Sequence, residues 1–250
     1  MEKIKYKTVL ITGGTRGIGR EIVQKFSEQN FNVIFTFNSN EKLAKNIVSE
    51  LSHINKNIHT VKMNLYETKN IISTMDYVQN NLGNVDILIN NAAIAQEKDF
   101  MKIDLEDWDR MMAINLRSVF LLSKLSLPNM INNNWGRIIN ISSIGGQWGG
   151  INQVHYAASK AGLINFTQSI AKIYSKYGIT SNAIAPGLFE TEMSKREINS
   201  TEGQNKLKNI PIGRFGRIEE IASTALFLSS NGASYITGQT LNLNGGMLFS

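Results

Sequence analysis

The stretch TGGTRGIG, Thr12 to Gly19, leaves the chain few folds to choose from, because it joins a short apolar run, Thr8–Ile11, to a longer amphipathic one, Gly17–Glu28. Glycines allow a tight turn and a close backbone approach, and a helix start offers free N–H groups and a positive dipole end, so such a turn can receive a phosphate. A glycine-rich turn by itself is weak evidence, since plain strand-to-helix turns also use glycine. Its flanks carry the argument. β-rich runs recur at Val33–Phe37, Ile58–Met63, Ile87–Ile89, Arg137–Ile141, Ser181–Ala185 and Thr240–Leu243. Between them lie amphipathic stretches at Lys42–Leu51, Lys69–Asn81, Trp108–Ile131, Val154–Tyr177 and Ile218–Leu228. This alternation predicts an α/β fold, a doubly wound parallel sheet with helices on both faces. Continuously apolar strands such as Ile87-Leu88-Ile89 suit a sheet buried on both sides.

A chain of 250 residues suits one large domain. No Pro/Gly/Ser linker divides it and no repeat of roughly 20–50 residues is present, so residues 1–250 read as a single domain. The polar segment 188–209, which follows Pro186-Gly187, breaks the rhythm and is expected to be a substrate lid. The absence of cysteine excludes disulfides and thiolate metal sites. His53, His59 and His155 lack metal-ligand spacing, so no metal is expected, and His155 reads as pocket wall or surface. The net charge of +6 would attract phosphate-bearing ligands or an acidic partner, or it is a basic surface with no particular target. Lysines and arginines are scattered, with no basic stripe interleaved with aromatics, so no nucleic-acid partner is expected. The opening MEKIKYKTVLITGG has no secretory h-region and no apolar run is long enough for a bilayer. The expectation is a cytoplasmic protein with no membrane partner.

Two residues suggest proton chemistry. Tyr156 and Lys160 are four apart, so on a helix they share a face. A phenol ordinarily titrates near ~10, too high for proton transfer at neutral pH. An ammonium about 4 Å away at an effective dielectric near 20 contributes ~4 kcal/mol, enough to lower that value by two to three units. Ser143 stands 13 residues before Tyr156, at a strand's C-terminal end, where sheets of this class bind ligands. Taken singly, each has a plainer reading: a solvated helical pair for Tyr156 and Lys160, a cap or turn for Ser142-Ser143, a back-bonding helix residue for Asn115.

Together these marks resemble the short-chain dehydrogenase/reductase family. The spacing Gly13-x-x-x-Gly17-x-Gly19 is that family's TGxxxGxG turn. Asn90-Asn91-Ala92-Ala93 stands where the family has NNAG, followed in order by Asn115 in MMAINL and Ser143 in INISS. Tyr156 and Lys160 in YAASKAG form the YxxxK pair, and Pro186-Gly187 follows the sixth strand. The resemblance covers essentially the whole chain. It implies a Rossmann-type single domain with a seven-stranded parallel sheet in the order 3-2-1-4-5-6-7. It also implies Tyr156 as acid/base and Ser143 as orienter of the substrate oxygen. Lys160 would lower the tyrosine pKa and bind the nicotinamide ribose, and Asn115 would hold a proton-relay water.

The implied cofactor contacts are Gly13, Thr15, Arg16, Gly17, Ile18 and Gly19 in the turn, Asn38 and Ser39 after the second strand, and Asn64 and Leu65 after the third. Asn91, Ala92 and Ala93 follow the fourth strand, Tyr156 and Lys160 lie beyond the fifth, and Pro186, Gly187 and Thr191 follow the sixth. The second strand ends in Thr36-Phe37-Asn38-Ser39-Asn40, without the acid that receives a ribose 2′-OH. Nothing there repels a 2′-phosphate, and Arg16 stands ready to bind one, so NADP(H) is expected over NAD(H). Two positions depart from the pattern. Ala93 replaces a glycine, and Asn64 stands where an Asp often touches the adenine.

Within the family, WGRIINISSIGGQWGG, YAASKAGL, IPIGRFGRIEEIA and YITGQTLNLNGG resemble reductases of 3-oxoacyl thioesters. Ile144, Trp148, Leu188, Phe189 and Met193 would suit an acyl chain, and Lys195 and Arg196 a phosphopantetheine phosphate. Gln147 and Gln153 would serve a sugar, polyol or other secondary alcohol equally well, which is the alternative. The places that commonly hold carrier-binding basic residues read Asn132-Asn133-Asn134 and Lys176-Tyr177-Gly178, leaving Lys172 and Lys176 as the clear cations. The resemblance implies a homotetramer. The apolar faces of the two long helical stretches and the end Met247-Leu248-Phe249 agree with association.

Overall fold

The computed structural model describes residues 7–190, 205 and 207–249. Strand β1 is Thr8–Ile11, β2 Asn32–Phe37, β3 Ile58–Lys62, β4 Ile87–Asn90, β5 Gly136–Ile141, β6 Ile179–Pro186 and β7 Thr240–Leu243. They form one parallel sheet in the order β3-β2-β1-β4-β5-β6-β7, the order expected. Successive strands step outward from β1 to β3, and the chain then returns to β4 beside β1. That reversal leaves a crevice at the C-terminal ends of β1 and β4, where ligands of such sheets sit.

Helices α1 (Gly17–Glu28), α2 (Glu41–Leu51), α3 (Thr68–Asn81), α4 (Leu105–Met112) and α5 (Ser118–Asn132) alternate with the strands. The short α6 (Gly145–Trp148), α7 (Val154–Tyr174) and α8 (Ile218–Leu228) complete the main set. Two buried apolar clusters, one on each sheet face, account for the uninterrupted apolar strands. Phe26, Val33, Phe35 and Ile221 lie in one, and Leu10, Ile34, Leu88 and Ile138 in the other.

The stretch expected as one helix over Trp108–Ile131 differs. It begins at Leu105, because Asp104 and Asp107 form a reciprocal capping box, and a π turn over Ala113–Arg117 divides α4 from α5. Apolar spacing marks a helix body, whereas a cap is a local polar pairing that the spacing does not register. The other long stretch, expected over Val154–Tyr177, is helical to Tyr174 and ends in a 3-10 turn over Ser175–Tyr177.

The expected lid lies largely outside the described residues, which exclude 191–204 and 206. Its flanks are joined, since Phe189-Glu190 pairs in parallel with Gly216-Arg217. Among the described residues no helix is long and apolar enough to cross a membrane.

Candidate active site

The glycine turn is a cradle shaped by what it excludes. Gly13 (φ +69°) and Gly17 (φ +52°) occupy the left-handed region that side chains rarely adopt. A Cβ on Gly13 would stand 2.9 Å from the Cβ of Ala92, and one on Gly19 would collide with the Gly13 carbonyl. Gly13 N–H donates to Thr36 Oγ1 at 3.2 Å and Gly14 N–H to Thr36 O at 3.0 Å, which seats the turn on β2.

Thr12 ties the turn to the neighbouring strand end. Its Oγ1 accepts from the N–H groups of Asn91 and Ala92, both at 3.0 Å. Asn91 Nδ2 returns a bond to Thr12 O at 2.9 Å. Thr12 lay inside the glycine motif, but its positioning role was legible only once β1 and β4 were seen as neighbours. The tight fit falls on Ala92, against Gly13, whereas Ala93 is exposed.

Arg16, Asn38 and Ser39 are exposed at the rim of this cradle. Arg16 is the residue at which the chain enters α1, with extended backbone and no capping bond from its side chain. Asn64 is differently disposed from expectation. Its Nδ2 donates to Glu67 Oε1 at 2.8 Å and its Oδ1 accepts from Tyr66 N–H at 3.1 Å, so its side chain is spent on the turn before α3. Leu65 is buried in the core. Pro186 and Gly187 end β6, where Gly187 N–H donates to Leu243 O at 2.8 Å and Ile144 N–H to Pro186 O at 2.9 Å. Thr191, Met193, Lys195 and Arg196 lie outside the described residues.

Beyond β5, Ser143, Tyr156 and Lys160 converge. Ser143 Oγ accepts from Gly145 N–H at 3.1 Å, which fixes its hydroxyl at the start of α6. A side-chain hydrogen bond from Ser143 reaches the Tyr156 phenol. Lys160 is buried beneath the tyrosine, its Nζ 5.7 Å from the ring centroid and donating to Ile141 O at 2.7 Å.

The expected lowering of the tyrosine pKa is not what this arrangement gives. Burial pushes the Tyr156 phenol above its ordinary value and the Ser143 bond only partly opposes this. Lys160 lies against the ring and its ammonium is committed to the Ile141 carbonyl. Burial drives Lys160 down to about 8. A phenol kept protonated at neutral pH is suited to donate a proton.

Asn115 lies in the π turn with its side chain fully engaged. Its Oδ1 accepts from Ile94 N–H at 2.9 Å, and its Nδ2 donates to Ile94 O at 2.9 Å and Ser159 Oγ at 3.1 Å. Ser159 Oγ in turn donates to Tyr156 O at 2.7 Å, so Asn115 clamps the loop after β4 to the helix of Tyr156. His155 is not a surface residue. It is wholly buried, its Nε2 2.8 Å from Gln96 Oε1. Among the described residues no group of His, Asp or Glu is placed to hold a metal ion.

A crevice of glycines and helix-start N–H groups, joined to a half-buried tyrosine over a buried lysine and a serine hydroxyl, fits a dinucleotide and a carbonyl-bearing substrate side by side. Comparisons with known proteins agree. Residues 13–248 match the family model described as enoyl-(acyl carrier protein) reductase. The chain is 43% identical over 247 residues to 3-oxoacyl-(acyl-carrier-protein) reductase FabG of Aquifex aeolicus, covering 98% of both chains. It is 41% identical to the FabG of Salmonella typhimurium, over 96% of this chain and 97% of that one. To the FabG of Staphylococcus aureus it is 35% identical, over 96% of this chain and 98% of that one.

Proposed function

Because the chain belongs to the short-chain dehydrogenase/reductase family, we propose that it reduces the 3-oxo group of an acyl thioester to the 3-hydroxyacyl product with NADPH. The observation that carries this reading is the meeting of Ser143, Tyr156 and Lys160 beside the glycine cradle. Gly13, Thr15, Arg16, Gly17, Ile18 and Gly19 hold the pyrophosphate end, and Asn91, Ala92, Ala93, Pro186 and Gly187 line the remainder. Asn64 and Leu65 meet the adenine through main-chain groups, since the Asn64 side chain is otherwise engaged. The bound cofactor supplies a hydride.

Ser143 orients the carbonyl oxygen and Tyr156 donates the proton that the oxygen gains. Lys160 stabilises the resulting phenolate and binds the ribose. Asn115 holds a relay water through the main chain of its π turn, because its side chain is committed to Ile94 and Ser159. Arg16, with Asn38 and Ser39, favours NADP(H) by offering a guanidinium and two polar groups where an acid would exclude a 2′-phosphate.

The family model's description names an enoyl reductase, but a hydroxyl pair aimed at one point suits a substrate oxygen. Ile144, Trp148, Leu188 and Phe189 supply an apolar approach. Lys172 and Lys176 are exposed and available to a carrier's phosphate. A second reading, oxidation or reduction of a sugar, polyol or other secondary alcohol, is favoured by Gln147. Its buried Oε1 has no hydrogen-bond partner among the described residues. NADPH oxidation with acetoacetyl-CoA, acetoacetyl-carrier protein and a set of keto-sugars decides between them. Turnover on the keto-sugars alone would transfer the assignment to the second reading.

We further propose a homotetramer. A groove of about 800 Å³ between the α4–α5 region and α7 is lined by Met112, Leu116, Phe120 and Phe166, among others. A second copy would cover it.

A further inference from the structure

Tyr156 stands in the first turn of α7, where main-chain N–H groups lack partners within the helix. The residue before that turn, Gln153, makes no capping bond with its side chain. Support comes from the loop after β4, laid against the entry to α7. Lys98 N–H donates to Asn152 O at 2.8 Å, Gln153 Nε2 to Glu97 Oε1 at 3.3 Å, and Gln96 Oε1 lies 2.8 Å from His155 Nε2. The first of these is main chain to main chain and the second is exposed. The third joins two side chains and ends on a residue with no solvent exposure.

The polarity of that contact is set by its neighbours. Gln96 Nε2 donates to Asp107 Oδ1 at 2.9 Å, so the amide oxygen faces the imidazole and His155 Nε2 carries the proton. Asp107, in the first turn of α4, is paired with Lys98 and holds its carboxyl at about 2, through Lys98 first and Gln96 second. A line of hydrogen bonds thus runs from an ionised carboxylate, through one amide, to the residue immediately before Tyr156.

We propose that Gln96 and His155 are positioning residues for Tyr156, fixing the uncapped first turn of α7 so that the phenol stands at the distance proton donation requires. The inference rests on the reading of Tyr156 as proton donor. Asn115 reaches Tyr156 O through Ser159, which shares a helix face with His155 four residues earlier, and the Gln96–His155 pair extends that anchorage to the start of the helix. Small displacements of a reacting group cost up to ~10²-fold in rate, so a partly loosened turn is expected to lose about tenfold in kcat.

The test is a polarity exchange. Gln96→Glu alone sets a second carboxylate against Asp107 and removes the amide donor, and should lower kcat about tenfold, with NADPH affinity by direct titration unchanged. Combined with Asp107→Asn, the new carboxylate accepts from His155 and the new amide donates to it while its oxygen still meets Lys98. The double variant should therefore recover kcat, and the unchanged NADPH affinity of the single variant separates lost positioning from a loss of general stability. Parental kcat in Gln96→Glu, a loss that Asp107→Asn does not restore, or a matching loss of NADPH affinity would each overturn the proposal. Tyr156→Phe is assayed alongside. A fully active Tyr156→Phe would overturn the underlying reading, whereas an inactive one beside an unimpaired Gln96→Glu overturns this inference alone.

Discussion

At the scale of the residue, burial acts in opposite directions on the two ionisable groups of the site. It raises the Tyr156 phenol, which keeps the proposed donor protonated, and lowers Lys160 to about 8, which puts a change of charge close to neutrality. Tyr156→Phe removes the donor and should lower turnover by at least ~10²-fold while leaving NADPH affinity nearly intact. Near-normal turnover would remove Tyr156 from the mechanism. The sign for Lys160 follows from its depressed value: the ammonium is present below about 8 and lost as pH rises through it. Since kcat/KM for a ligand reports groups of the free enzyme, kcat/KM for NADPH should hold at neutral pH and fall above about 8. A profile flat to pH ~10 would contradict a charged-lysine role at the ribose.

The glycine turn and the π turn are the elements that shape the site. Gly19 is needed for space, because a Cβ there meets the Gly13 carbonyl, a backbone atom that cannot swing aside. Gly19→Ala should destabilise the fold by roughly 1–3 kcal/mol through overpacking and weaken NADPH binding, as thermal melts and titration would report. An unchanged melt with full NADPH affinity would show that the turn relaxes freely. Arg16 contributes charge and no packing, being exposed at the entry to α1. Removing a charge-assisted bond of about 1.5–3 kcal/mol should weaken NADPH binding at least ~10-fold in Arg16→Ala and leave NADH binding alone. An unchanged NADPH-to-NADH ratio would mean that the 2′-phosphate is read elsewhere.

For the whole molecule, the apolar surface is the feature without a partner in one chain. Phe120, Ile173 and Phe227 are about half exposed, and Phe249 is 84% exposed. Of these, Phe120 lines the groove between the α4–α5 region and α7 that the proposed homotetramer would cover. Light scattering at micromolar concentration should give four times the 27.9 kDa of one chain, and Phe120→Glu should shift the mass downward. A monomeric mass for the parent protein would reject the assembly.

The alternation of strands and helices, the cradle glycines and the Tyr156–Lys160 spacing were written in the sequence, because hydrophobic period, positive-φ glycines and helical repeat are local properties that neighbours along the chain express, whereas the order of strands was implied by the family resemblance alone. The residues proposed to move a proton were also named from the sequence. Contacts between distant segments were decided only by the tertiary structure. Thr12 meets Asn91 across 79 positions, and Gln96 meets His155 across 59, and no spacing rule anticipates either. The direction of the tyrosine shift belongs to the same class. Sequence separation puts a lysine one helical turn from Tyr156, but burial and the pull of Ile141 O decide where its charge lies, and those exist only once the sheet has closed over the pair.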